Sequence, residues 1–159
     1  KNIKLSRTNQ EFHEMHFHLH RENGGSYKHR YPFGTPLFGS SSIRQSVYKN
    51  LKKLSRHEYE SVRKAVAASP NVTIEILQIL AEDTELDVLE AVAQNSNTPK
   101  SILKKLAYIE DKSVRKSVAA NPNTSKDTLM YLASNSCWQV RVIVATNPNT
   151  SSSTLNMLA

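Results

Sequence analysis

A 26-residue period over residues 56–159 constrains this chain more than any other feature. Val62, Val88, Val114 and Val140 recur at that spacing, as do Val66, Val92, Val118 and Val144, each followed by alanine at 67, 93, 119 and 145. The register continues through Asn71, Asn97, Asn123 and Asn149, then Leu77, Leu103, Leu129 and Leu155. Leu80, Leu106, Leu132 and Leu158 follow, with Ala81, Ala107, Ala133 and Ala159 beside them. Seven of 26 columns are identical through four copies, 56–81, 82–107, 108–133 and 134–159. Self-similarity at such a period is the mark of a repeat architecture.

Each copy predicts two short helices. Val114 and Val118 are spaced i, i+4 and Leu129 and Leu132 are spaced i, i+3, which are helical spacings rather than strand alternation. Asn-Pro-Asn-Thr at 121–124 and 147–150 ends the first helix, because proline lacks an N–H and disfavours helix in the residue before it. Thr98, Thr124 and Thr150 are then candidate caps of the second helix, with Pro99 at a first helical position and Asp127 completing a capping box with Thr124. One copy cannot offset the backbone entropy of ordering 26 residues with its few apolar side chains, so neighbouring copies must pack together. The alanine column lets successive helices approach closely, and the asparagine column offers a side-chain ladder to backbone groups of its own or the adjacent copy.

The run Ser-Val-Arg-Lys-Ser-Val-Ala-Ala-Asn-Pro-Asn-Thr at 113–124, followed by Leu-Met-Tyr-Leu-Ala at 129–133, resembles the variant leucine-rich repeat family over about 51–159. The resemblance implies a right-handed α-solenoid, similar to HEAT arrays, in which an α-helix alternates with a shorter helix that can be 3₁₀. It brings no catalytic residues. The iron-sulfur module found in some members needs more cysteines than the single Cys137. Two departures stand out: Leu89 where Arg63, Arg115 and Arg141 stand in the other copies, and Ser96 in place of the prolines at 70, 122 and 148. The fourth copy is expected to expose Leu155 and Leu158, so that the chain continues past Ala159 or packs there against another chain.

Charge divides the chain in two. Residues 1–55 hold ten Lys/Arg against three Asp/Glu and so carry the whole net charge of +7, together with all four glycines and seven of the eleven aromatic residues. We read 1–41 as a basic arm that caps the array. His13, Met15, Phe17 and Leu19 alternate with His16, His18 and His20, and Asn23-Gly24-Gly25 is a turn signal, which together predict a small β-hairpin over about 12–32 in an otherwise all-α chain. A lead-in helix over 42–54 would place Leu51 and Leu54 in the two leucine columns as an incomplete copy.

The arm supplies two binding readings. His16, His18 and His20 share a strand face and, with His29 or Glu14, are a candidate zinc site, no other cofactor being expected. Lys28, Arg30, Tyr27 and Tyr31, with Arg44, Lys52 and Lys53, combine cations for phosphates with rings for base stacking. Arg63, Arg115 and Arg141 form a stripe that can meet phosphates or an acidic surface, or instead pair with Glu60, Asp87 and Asp111 nearby. Glycine is absent from the repeats and no nucleophile elbow or HExxH helix occurs, so a non-catalytic scaffold for a protein partner is the expectation. Nucleic-acid binding is the main alternative, and a DNA-modifying helical-repeat enzyme ranks below it. No apolar run reaches the roughly 20 residues of a membrane span, and the expected compartment is the cytoplasm.

Overall fold

A computed structural model describes residues 41–159; the hairpin expected over about 12–32, and the histidines and aromatics of the arm, lie outside the described residues. Among the described residues the chain is all-helical, with nine α-helices and no strand. The lead-in helix α1 spans Ser41–Leu54, and the four copies follow as α2 (Glu60–Ala67) and α3 (Ile74–Leu80), α4 (Leu86–Gln94) and α5 (Lys100–Leu106), α6 (Lys112–Ala120) and α7 (Lys126–Ala133), and α8 (Trp138–Thr146) and α9 (Ser152–Leu158). The second helices are α-helices of seven or eight residues, where the resemblance allowed 3₁₀ geometry. No helix among the described residues is long and apolar enough to cross a membrane.

The repeated columns build the core. Val88, Val114, Val140, Leu103 and Leu129 are wholly buried, and so are Val92, Val118 and Val144. The first helices pack on one another in order, α2 on α4, α4 on α6 and α6 on α8, while each of α3, α5 and α7 lies against the first helices before and after it. Ala67, Ala93 and Ala119 are fully covered, but Ala145, with no following first helix among the described residues, is exposed. A methyl side chain at this contact is what lets the helix axes close up, since interior packing leaves no space for a longer one. Leu51 and Leu54 of α1 pack against the same core and supply the incomplete copy ahead of α2.

The copies are joined by two asparagine columns rather than one. Asn97 Nδ2 donates to the Pro70 carbonyl (3.0 Å), Asn123 Nδ2 to Ser96 and Thr98 (2.6 and 3.1 Å), and Asn149 Nδ2 to Pro122 and Thr124 (2.6 and 3.1 Å). The second column, Asn95, Asn121 and Asn147, is more buried. Asn121 Nδ2 donates to the carbonyls of Ala93 (2.6 Å) and Asn95 (3.0 Å) of the preceding copy, and its Oδ1 accepts from the Asn123 N–H (2.8 Å). Asn95 and Asn147 repeat the arrangement. Each side chain thus satisfies carbonyls left open at the C-terminus of the preceding first helix. Proline is not needed for this turn: Asn95 stays extended, ψ 127°, although Ser96 follows it.

The capping assignments require correction. Thr98, Thr124 and Thr150 do not cap the second helices; each hydroxyl donates back to a valine carbonyl six residues earlier, Val92 (2.6 Å), Val118 (2.5 Å) and Val144 (2.5 Å). The caps lie one residue later, where Thr73, Ser125 and Ser151 accept from the N–H three residues on. Ser125 therefore replaces the expected Thr124 and Asp127 box, and Pro99 stands at the N-cap itself. Entry to the first helices uses a different acceptor in each copy. His57, Asp83 and Asn135 accept from the N–H two residues on, while in the third copy Ile109 cannot, and Asp111 at the N-cap accepts from Val114 N instead.

Removing an asparagine of the buried column strands two carbonyls and one N–H. An unsatisfied buried polar group costs about 1–3 kcal/mol. Asn121→Ala is therefore expected to destabilise the fold by about 3 kcal/mol in urea denaturation, whereas Asn71→Ala, at an exposed position, should cost under about 0.5 kcal/mol. Equal costs would contradict the ladder.

Candidate functional site

Each arginine of the column gives part of its guanidinium to the loop before its own helix. Arg63 Nη1 donates to the carbonyls of His57 (2.8 Å) and Glu58 (3.0 Å), Arg115 Nε to Ile109 (2.6 Å), and Arg141 Nη1 to Asn135 (2.8 Å) and Ser136 (3.1 Å). Each guanidinium clamps the loop that leads into its own helix. Leu89, which replaces it in the second copy, is buried. The expected carboxylate partners are not the ones used: Arg63 pairs with Asp83 (2.6 and 2.9 Å), Asp87 pairs with Lys64 (2.7 Å), and Asp111 caps α6. In the Arg63–Asp83 pair the side chains are only 15% and 7% exposed.

The other predicted residues are spread out. Arg44 and Lys53 are exposed on α1, and Lys52 reaches Glu75 (2.6 Å) and the Tyr48 hydroxyl (3.1 Å). Tyr48 also donates to Glu75, and these bonds hold the Lys52 ammonium above its ordinary value and the Glu75 carboxyl below its own. Tyr27, Lys28, Arg30, Tyr31, His16, His18, His20 and His29 lie outside the described residues. Among the described residues, the proposed phosphate-binding residues fall into two separate sets: Arg44, Lys52 and Lys53 on α1, and the arginine column of the first helices.

Two further surfaces stand out among the described residues. On the first-helix side, an open groove of about 370 Å³ runs across α4, α6 and α8, lined by Glu90, Gln94, Ser113, Lys116, Ser117 and Ile143 among others. Its polar groups serve each other: Gln94 Nε2 donates to Glu90 (3.0 Å) and to Ser117 Oγ (3.3 Å). On the second-helix side, the rings of Tyr108 and Tyr131 lie 4.7 Å apart at a 47° tilt, yet both are exposed, by 55% and 44%. Met157 occupies the column of Tyr131 on the neighbouring α9 and is 58% exposed. Identity between copies could not reveal this patch. Its signal is the reverse, an outward column that reads Ile79, Lys105, Tyr131 and Met157 on an otherwise repeated frame.

The chemistry of the polar clamp yields a pH dependence. Hydrogen bonds from Arg63 hold the Asp83 carboxyl below its ordinary value, against the opposing effect of burial. Because the folded-state value is lowered, this contribution is complete above the unfolded value of about 3.9 and lost as pH falls through the folded one. Between about pH 5 and pH 2 the wild-type denaturation midpoint should fall more steeply than that of Asp83→Asn. Parallel curves would show that the pair contributes nothing.

Comparison of the chain with family models, with curated proteins and with solved structures finds no match.

Proposed function

We propose that the chain is a right-handed α-solenoid of the variant leucine-rich repeat kind and acts as a non-catalytic scaffold for a protein partner. Direct packing of the first helices on one another supports this architecture, because a small-residue column draws that row together and leaves the second helices on the wider, outer side. The observation that carries the function is the exposed Tyr108–Tyr131 pair, whose tilted rings contact each other.

Exposed aromatics that touch each other without being covered are the kind of anchor protein interfaces use, since they bring large area at small cost in side-chain entropy. Their setting matters as much as their number. Leu129 and Leu132 fix α7 from beneath, so Tyr131 is presented from a rigid helix, and Met157 extends the apolar area along the next one. Lys104 is exposed one copy earlier and favours a partner with carboxylates at the rim. Arg63, Arg115 and Arg141 each commit part of the guanidinium to loop carbonyls of their own copy, which favours protein over nucleic acid as the partner of the repeats.

The test is affinity capture with the intact chain after nuclease treatment, comparing wild type with Tyr108→Ala/Tyr131→Ala. Protein recovered by the double variant should fall about tenfold or more at an unchanged thermal midpoint. Undiminished recovery, or binding that nuclease abolishes, would overturn the reading.

A further inference from the structure

Positive charge in the repeats is gathered in one stretch. Residues 56–99 hold three Lys/Arg against eight Asp/Glu, whereas 100–126 hold seven against two. Half of those eight carboxylates are satisfied where they stand, since Glu75, Glu82, Asp83 and Asp87 each meet a lysine or arginine. On the second-helix side of the second and third copies only Lys105 is used in this way, by Glu82. Lys100, Lys104 and Lys126 are exposed and enter no ion pair among the described residues. Helix stability does not explain all three. A cation is favoured in the last turn, where Lys104 stands, but Lys100 and Lys126 open α5 and α7, at the end where the helix dipole opposes positive charge.

These lysines border the aromatic patch. Lys100, Lys104 and Tyr108 follow at four-residue intervals along the exposed side of α5 and the turn after it, and Lys126 and Met130 repeat the first two positions on α7, beside Tyr131. Met130 is 46% exposed. We infer that the partner presents an acidic segment to this surface, in which an aliphatic side chain covers Tyr108, Tyr131 and Met130 and flanking carboxylates meet Lys100, Lys104 and Lys126. The inference rests on the protein-scaffold reading and adds the chemistry of the partner. Charge complementarity is its first support: the only carboxylate among these positions, Asp127 in the first turn of α7, leaves the patch positive. Two further observations favour peptide carboxylates over the phosphates of a nucleic acid. The rings of Tyr108 and Tyr131 meet at a 47° tilt, so the pair does not form the parallel platform on which successive bases stack. The cations beside them are all lysines, while arginine, whose planar fork matches phosphate, is absent from the second helices.

The probe is a dye-labelled peptide of three Glu-Leu-Leu-Glu blocks, titrated with the full chain and followed by fluorescence anisotropy. A Kd of about 100 μM or tighter is expected, rising at least about fivefold between about 50 and about 300 mM salt. Lys100→Ala/Lys104→Ala/Lys126→Ala should bind at least about tenfold more weakly at an unchanged thermal midpoint, since all three positions are exposed. Lys112→Ala/Lys116→Ala, on a first helix, should bind as wild type, and replacing the peptide's leucines by serine should cost about tenfold. A peptide that does not bind, binding indifferent to the three lysines, or displacement of the peptide by a lower concentration of a mixed-sequence single-stranded oligonucleotide would overturn the inference. In the capture assay, proteins lost with the two tyrosines but retained by the triple lysine variant would overturn the acidic partner and leave the scaffold reading standing.

Discussion

An asparagine amide that crosses from one copy to the last turn of the previous one is the interaction on which the rest of the structure depends. Helix termini leave carbonyls without intrahelical partners, and in a short helix such as α4 or α6 these are a large fraction of the backbone. Burying the turns between helices would then be costly. Asn95, Asn121 and Asn147 resolve this by giving both amide hydrogens to the preceding copy and accepting an N–H of their own turn. Among the described residues no buried side-chain nitrogen or oxygen lacks a partner.

The apolar and polar halves of the interface require each other. Alanine at 67, 93 and 119 brings the first helices close enough for an asparagine to span the gap, and the asparagines fix the register that keeps the valines opposed. Dispersion and burial supply the cohesion, while the directional bonds choose one register among several that the apolar columns alone would permit. This division explains how the outward columns can change freely. Lys64, Glu90, Lys116 and Val142 share one position, and neither the core nor the ladder depends on which residue stands there.

Much of this was legible from identity between copies. The valine, leucine and alanine columns predicted the helices, their inner faces and the close approach of the first-helix row, because those residues do the same thing in every copy. The more buried asparagine column escaped notice because the first copy, with no copy of its own kind before it, carries Ser69 there. The threonine hydroxyls were misread for a geometric reason: N-cap and preceding residue are adjacent in sequence, and only coordinates show that Thr124 turns back to Val118 while Ser125 faces the helix N-terminus. The Tyr108–Tyr131 patch was invisible to a search for sameness, since neither tyrosine is repeated in the equivalent position of another copy.

The amides of Asn97, Asn123 and Asn149 test the account most directly. They sit in turns, where exchange with solvent is ordinarily fast, but each donates to the side chain of the buried asparagine two residues before it. Hydrogen exchange followed by NMR should find Asn97 and Asn123 protected about a hundredfold or more, on a par with the helices they adjoin. Exchange of those amides at the rate of an open loop would contradict a ladder that couples the copies.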